Sequence, residues 1–175
     1  RHTMHLTLNR CVVRAWQPSD AESLQRHADN PNVARHLRDR FPHPYTMEHA
    51  TGFLGWVAQQ PSPTVWAIAI GDEAVGGIGI ERHGDVERVS AEIGYWLGEA
   101  HWGKGVATEA LVAVTAMAFQ QYELTRVFAV PFADHLASVR VLEKAGYVRE
   151  GLMRRSAIKY GVVRDQLLFA TYRTL

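Results

Sequence analysis

The chain has 175 residues, and 19 basic against 18 acidic side chains leave a net charge of +1 with histidine neutral. Hydrophobic residues make up 47% and charged residues 21%, the mix of a globular protein and not of a disordered tail. The length predicts one domain over residues 1–175 with a sizeable core, and the near-neutral charge argues against a broad nucleic-acid surface.

Arg1-His2-Thr3 precede Met4, lack the apolar stretch of a signal peptide, and read as a remnant ahead of the start. Leu6, Leu8, Cys11 and Val13 alternate with polar residues and predict a first strand with an irregularity near Asn9. Cys11 is the sole cysteine, which excludes an internal disulfide framework and a cysteine-rich zinc site and fits a cytoplasmic protein. Pro18-Ser19-Asp20 opens a helix reaching about His27, and Asn30-Pro31 starts a second, with asparagine as N-cap. Residues 35–45 form a basic, proline-punctuated loop, expected to shape an acceptor site. Thr46 caps a further helix whose apolar side is Phe53, Leu54, Trp56 and Val57. Residues 49–71 lack Lys, Arg, Asp and Glu, but Gln59-Gln60-Pro61-Ser62-Pro63 in their middle exclude a membrane span.

Residues 65–70 and 74–81 read as a hairpin around Gly71-Asp72, with another turn at His83-Gly84-Asp85. Residues 90–97 are a fourth strand, and residues 107–121 a helix apolar around most of its circumference. Residues 126–132 read as a strand, and 135–145 as a helix closed by Gly146. Residues 148–155 and 162–172 complete the pattern as two strands. Trp56, Trp66, Phe119 and Phe128 are expected in the core. Hairpins alternating with helices indicate one mixed α/β domain.

Between strand four and its helix lies Gly98-Glu99-Ala100-His101-Trp102-Gly103-Lys104-Gly105-Val106-Ala107-Thr108. Glycines before a helix N-terminus let main-chain N–H groups meet a phosphate, although an ordinary tight turn has the same composition. Gly98 to Lys104 nearly matches a nucleotide-triphosphate loop, but Gly105 stands where the magnesium-binding hydroxyl belongs. The dinucleotide pattern fails as well, because Thr108 stands where its third glycine would be. A pyrophosphate gripped by main chain without a metal fits better. The nine histidines include no H-x-x-x-H or HExxH pair, so no metal site is expected.

Three segments carry a resemblance: Glu92-Ile93-Gly94-Tyr95-Trp96-Leu97, then Trp102-Gly103-Lys104-Gly105-Val106-Ala107-Thr108-Glu109-Ala110-Leu111, then Ala137-Ser138-Val139-Arg140-Val141-Leu142-Glu143-Lys144-Ala145-Gly146-Tyr147. In this order they resemble the GNAT superfamily of acetyl-CoA-dependent N-acetyltransferases, and most of all its ribosomal-protein N-terminal branch. The resemblance extends over essentially the whole chain. It implies a GNAT-type α/β (α+β) domain whose twisted mixed sheet of about seven strands, flanked by helices, splays between strands four and five. It also implies acetyl-CoA as cosubstrate, its pantetheine arm along the main chain of Trp96, Leu97 and Gly98. The pyrophosphate would lie on N–H groups of Gly103, Lys104, Gly105, Val106, Ala107 and Thr108. Trp102 takes the place of an Arg or Gln of the wider superfamily, and His135 that of an asparagine that contacts pantetheine. Leu142 stands where many members carry a tyrosine acid.

The chemistry so implied is attack of a neutral amine on the acetyl thioester, helped by orientation and by backbone donors to the oxyanion. An α-amine is about one-tenth neutral at pH 7, whereas a lysine amine is neutral about once in 2,500. A chain without an obvious strong base therefore suits a protein N-terminus, with a small-molecule amine as the alternative. An acyl-CoA-binding sensor without turnover is the alternative of another class. Glu92 is the candidate base, acting through water, or else a carboxylate paired across the sheet. Ser138, one helical turn from His135, is the candidate acid for the thiolate, or else a cofactor or packing hydroxyl. His135 is a proton relay or a helix-start residue, and Asp165 a substrate-orienting residue or the support of a turn. Residues 140–165 carry seven basic and three acidic side chains, read as solvated surface or, at Arg140 and Lys144, as partners of a ribose phosphate. A homodimer is a family-level expectation; no nucleic-acid or membrane partner is expected.

Overall fold

The computed structural model describes residues 3–174; of the three residues ahead of Met4, Arg1 and His2 lie outside the described residues. The period-2 pattern at the start breaks between Leu8 and Cys11, and the chain turns there. Leu8 N–H bonds to the Cys11 carbonyl at 2.9 Å, separating β1 (His5–Thr7) from β2 (Val12–Arg14). These strands pair antiparallel with Leu6 opposite Val13. The expected single strand is therefore two, and the sheet has eight strands where about seven were expected. Its order is β1-β2-β3-β4-β5-β6-β8-β7. The chain divides into two compact units, one formed by residues up to Gly79 with Tyr95–Ala110, the other by Ile80–Gly94 and the residues from Leu111 onward.

In the first unit, β3 (Val65–Ile70) and β4 (Glu73–Arg82, as far as Gly79) extend the β1–β2 hairpin. Helices α1 (Ala21–Ala28) and α3 (Met47–Ala58) bury Leu24, Ala28, Ala50, Leu54 and Val57 around Trp16, Tyr45, Ala67 and Ala74. The short α2 (Pro31–Ala34) begins as expected, with the Asn30 side chain accepting from Asn32 N–H, and Thr46 caps α3 by accepting from His49 N–H. Trp56 does not join this core. It is 51% exposed, because Ala50, Leu54 and Val57 set the buried stripe and Trp56 falls outside it. Trp16 and Tyr45, both buried, supply the aromatic mass instead.

This unit also holds a buried ion pair. The Arg14 guanidinium donates to both Asp20 oxygens at 2.9 Å, and Asp20 also accepts Gln17 N–H at 2.8 Å, fixing the 3-10 turn Pro18–Asp20. This bidentate geometry satisfies both charges where water is excluded.

In the second unit, β5 (Ser90–Leu97, as far as Gly94) and β6 (Arg126–Ala129) run parallel. Their register covers Ser90↔Arg126, Ala91↔Val127 and Glu92↔Phe128 only, although β5 continues to Leu97. The fourth and fifth expected strands thus part early, as the resemblance implied. Strand β6 ends sooner than expected; beyond it Phe132 forms an isolated bridge with Gln166. The hairpin of β7 (Val148–Lys159) and β8 (Val162–Tyr172) turns at Tyr160-Gly161, both at positive φ, so that β7 runs four residues past its expected end. Helix α4 (Val106–Gln121), which belongs to this unit from Leu111 onward, exposes Val112, Ala116 and Gln120, a narrow stripe at four-residue spacing, and buries Leu111, Val114, Met117 and Ala118. Helix α5 (Leu136–Lys144) buries Ser138 and Leu142. Tyr147 and Thr115 hydroxyls bond at 2.6 Å. Phe119 and Phe128 are half-buried, so Trp66 alone of the four aromatic residues expected in the core is fully enclosed.

Candidate active site

Strand β5 reaches the glycine turn along a crowded path. In β4, a side chain on Gly77 would meet the Trp96 indole nitrogen at 2.6 Å and Trp16 at 3.3 Å. The glycine pair Gly76-Gly77 therefore lets Trp96 lie against the sheet, where its ring also packs edge-on to Phe41 at 5.3 Å. Gly98 N–H donates to the Val75 carbonyl at 2.8 Å, so Trp96 and Gly98 direct main-chain groups toward β4. By strand alternation the groups of Leu97 point the other way. The Leu97 carbonyl accepts the Trp102 indole N–H at 2.7 Å. Trp102 is thereby a clamp across the turn, its one polar donor spent within the protein.

Residues between Gly98 and Trp102 are held from the α1–α2 corner. His27 lies so close to Gly98 that a Cβ there would come within 2.6 Å of Nδ1. The Glu99 carboxylate accepts from the side chains of Asn30 at 2.9 Å and Asn32 at 3.0 Å, which hold it below the usual range, Asn32 foremost. His27 bonds Glu73 at 2.7 Å and packs against the His101 ring at 5.5 Å. Hydrogen bonds from His27 and then Arg26 lower the Glu73 pKa. Burial, followed by the charge of His27, lowers that of His101.

The turn itself has the backbone that its composition predicts. Gly103 and Gly105 sit at φ of +73° and +79°, a region that side chains disfavour. Glu109 N–H bonds to the Gly105 carbonyl at 3.1 Å as α4 begins. The N–H groups of Val106, Ala107 and Thr108 consequently lack intrahelical acceptors and carry the positive end of a sixteen-residue helix. No side chain intrudes on Gly103, where a Cβ would meet nothing within 4 Å. The open space at Gly103 and the N–H groups at the start of α4 have the chemistry to fit a phosphate group. Arg10, from the β1–β2 turn, donates its main-chain N–H to Glu109 at 2.7 Å and its Nε–H to the Lys104 carbonyl at 3.1 Å. Cys11 beside it is held up at about 11 by burial and then by Glu109, so its thiol stays protonated and unreactive.

Trp96, Leu97, Gly98 and the residues from Trp102 to Thr108 therefore gather in the first unit. Glu92, His135 and Ser138 belong to the second. Glu92 is half-buried at the last registered pair of β5, opposite Phe128. His135 is the N-cap of α5, and Ser138 lies buried in its first turn, 9% exposed. Arg140 and Lys144 are exposed. Asp165 has a structural bond, accepting Arg155 N–H at 2.8 Å where β7 bulges and Arg155 takes a positive φ. Among the described residues no cluster of three His, Cys, Asp or Glu gathers to hold a metal, and no helix is long and apolar enough to cross a membrane.

The family model described as an acetyltransferase (GNAT) domain matches residues 10–148. The chain belongs to the GNAT acetyltransferase family. It is an N-acetyltransferase that uses acetyl-CoA and an amine acceptor. It is 29% identical over 170 residues to the uncharacterized N-acetyltransferase YoaA of Bacillus subtilis (strain 168), covering 94% of each chain. It is 32% identical over 99 residues to the ribosomal-protein-serine acetyltransferase of Escherichia coli (strain K12), spanning 57% of this chain and 55% of that one. In fold it is similar to a solved structure of RimL, a ribosomal L7/L12 alpha-N-protein acetyltransferase in complex with coenzyme A, with a TM-score of 0.84, 19% identity, and 97% and 98% of the two chains covered.

The GNAT turn and its helix were legible before folding; the supports around them were not. Arg10 and Glu109 are 99 residues apart, and Asn30 and Glu99 69 apart. Glu109 lies inside the motif of the turn and its helix, Glu99 inside the turn and Asn30 at a helix cap, but no sequence signal paired them with one another.

Proposed function

We propose that this GNAT enzyme transfers the acetyl group of acetyl-CoA to a protein N-terminal α-amine in the cytoplasm, acting as one domain over residues 1–175 and as a homodimer. The observation that carries the cofactor reading is the paired positive φ of Gly103 and Gly105 at the open N-terminus of α4. In this reading N–H groups from Gly103 to Thr108 hold the pyrophosphate, and the outward groups of Leu97 serve the pantetheine amides. The Trp102 clamp orders that carbonyl and the turn together.

Glu92 takes the proton that the attacking nitrogen sheds, through water, and Ser138 returns one to the departing thiolate as the C–S bond breaks. His135 supports the pantetheine arm. The modest base demand of an α-amine and the similarity to a ribosomal-protein-serine acetyltransferase both favour an N-terminal acceptor. Thiol release from acetyl-CoA, measured across N-terminal peptides, polyamines and aminoglycosides, tests this. Turnover on α-amino peptides is expected. Turnover on the small amines alone would move the acceptor to that class, and tight acetyl-CoA binding without turnover on any amine would identify a sensor.

A further inference from the structure

Arg10 lies in the β1–β2 turn, far in sequence from the glycine turn yet laid across it. Its main-chain N–H is anchored to Glu109 Oε1 at 2.7 Å, and its Nε–H to the Lys104 carbonyl at 3.1 Å. A Cβ on Gly105 would come within 3.1 Å of Nε, so the side chain runs directly over that glycine. Nη1 stands 3.7 Å from Glu109 Oε2, an ion-pair distance and not a hydrogen bond. The side chain is 57% exposed, and the forked Nη donors are left for a ligand.

Electrostatics gives this placement a purpose. Glu109 is mostly buried in the first turn of α4, its side chain 17% exposed. A carboxylate there favours the helix dipole but repels a phosphate arriving at the same turn. Arg10 sets a permanent cation against that carboxylate and against the main chain proposed to hold the anion. We propose that Arg10 donates Nη hydrogen bonds to the pyrophosphate of coenzyme A, with Glu109 as its positioning residue; this rests on the phosphate reading of the glycine turn.

The test measures dissociation constants of wild type, Arg10→Ala and Arg10→Lys for coenzyme A, dephospho-coenzyme A and S-acetylpantetheine, with thermal melts run alongside. Loss of one charge-assisted bond weakens coenzyme A binding about tenfold in Arg10→Ala. The same factor is expected for dephospho-coenzyme A, with no change for S-acetylpantetheine and with the difference shrinking at high salt. Arg10→Lys, a point charge without the fork, falls between the two. A loss that does not shrink with salt would mean that Arg10 only supports the turn, and equal loss for S-acetylpantetheine would place its effect away from the pyrophosphate; either would overturn the assignment. So would an effect that vanishes with dephospho-coenzyme A, which would place Arg10 on the 3′-phosphate, or unchanged affinity throughout. Wild-type protein that binds neither coenzyme would refute the phosphate reading itself, a failure visible without any variant.

Discussion

Trp102 donates its indole N–H to the Leu97 carbonyl at 2.7 Å, tying the glycine turn back onto the strand that feeds it. The bond spans five residues and closes the segment into a small ring, stiffened further by Asn30 and Asn32 on Glu99. Trp102→Phe keeps an aromatic ring and deletes only the donor. The loss of about 1 kcal/mol should raise the KM for acetyl-CoA about fivefold while leaving kcat within a factor of two. An unchanged KM would show that the clamp is dispensable.

Gly105 combines a φ of +79° with the Arg10 side chain lying over it. Gly105→Glu adds backbone strain, displaces the guanidinium and brings a negative charge to the proposed phosphate cradle. Coenzyme A binding should fall below detection by calorimetry. Affinity like that of wild type would remove this turn from the cofactor site.

Ser138 is buried in the first turn of α5. Ser138→Ala removes a hydroxyl without a steric change, so a proton-transfer role predicts a kcat reduced about 10²-fold at nearly constant KM. Steady-state kinetics separates this from a binding role, in which KM would rise and kcat would hold.

Asp20 and Arg14 form the most enclosed ion pair described in this molecule, with side-chain exposures of 4% and 10%. Asp20→Ala strands a buried guanidinium and uncaps the Pro18–Asp20 turn. A destabilisation of about 3–5 kcal/mol follows, or a Tm lower by roughly 10 °C. Calorimetry showing a shift under 2 °C (about 1 kcal/mol) would contradict the buried-pair argument.

Acidity should loosen the first unit before the protein as a whole unfolds. Glu73 titrates below its ordinary 4.5 because His27 and Arg26 bond its carboxylate. Its stabilisation is therefore present above that ordinary value and is lost as pH falls through the lowered one. His101 is held below 6.5 by burial and His27, so the unfolded chain takes up its proton first and stability again drops on acidification. Melting temperature should decline from pH 7 to 3, and Glu73→Gln should flatten the part of the decline that lies below the ordinary 4.5. An equally steep curve in the variant would locate the acid sensitivity elsewhere.

Several features of this enzyme were settled locally. The glycine turn, the caps at Asn30 and Thr46, the strand Val65–Ile70 and the left-handed Gly146 depend on dihedral preferences and hydrogen bonds reaching only a few residues. Periodicity records such short-range physics directly. The extra strand was half legible: the alternation of Leu6, Leu8, Cys11 and Val13 failed at Asn9, but only the Leu8–Cys11 bond shows a turn and not a bulge.

What folding alone decided are encounters between residues with no local relation. Composition counted Arg10 as one cation of 19 and Glu109 as one acid of 18; tertiary structure laid the first over Gly105 and anchored it with the second. Trp56 and Trp16 are the same residue type, yet one is half exposed and the other lies in the core. Helical or strand phase relative to a neighbouring element decides such cases, and that phase exists only once the elements have packed. The near-neutral charge therefore conceals an arrangement: a helix N-terminus with its main-chain dipoles, and one arginine set beside it by a carboxylate that the sum cancels.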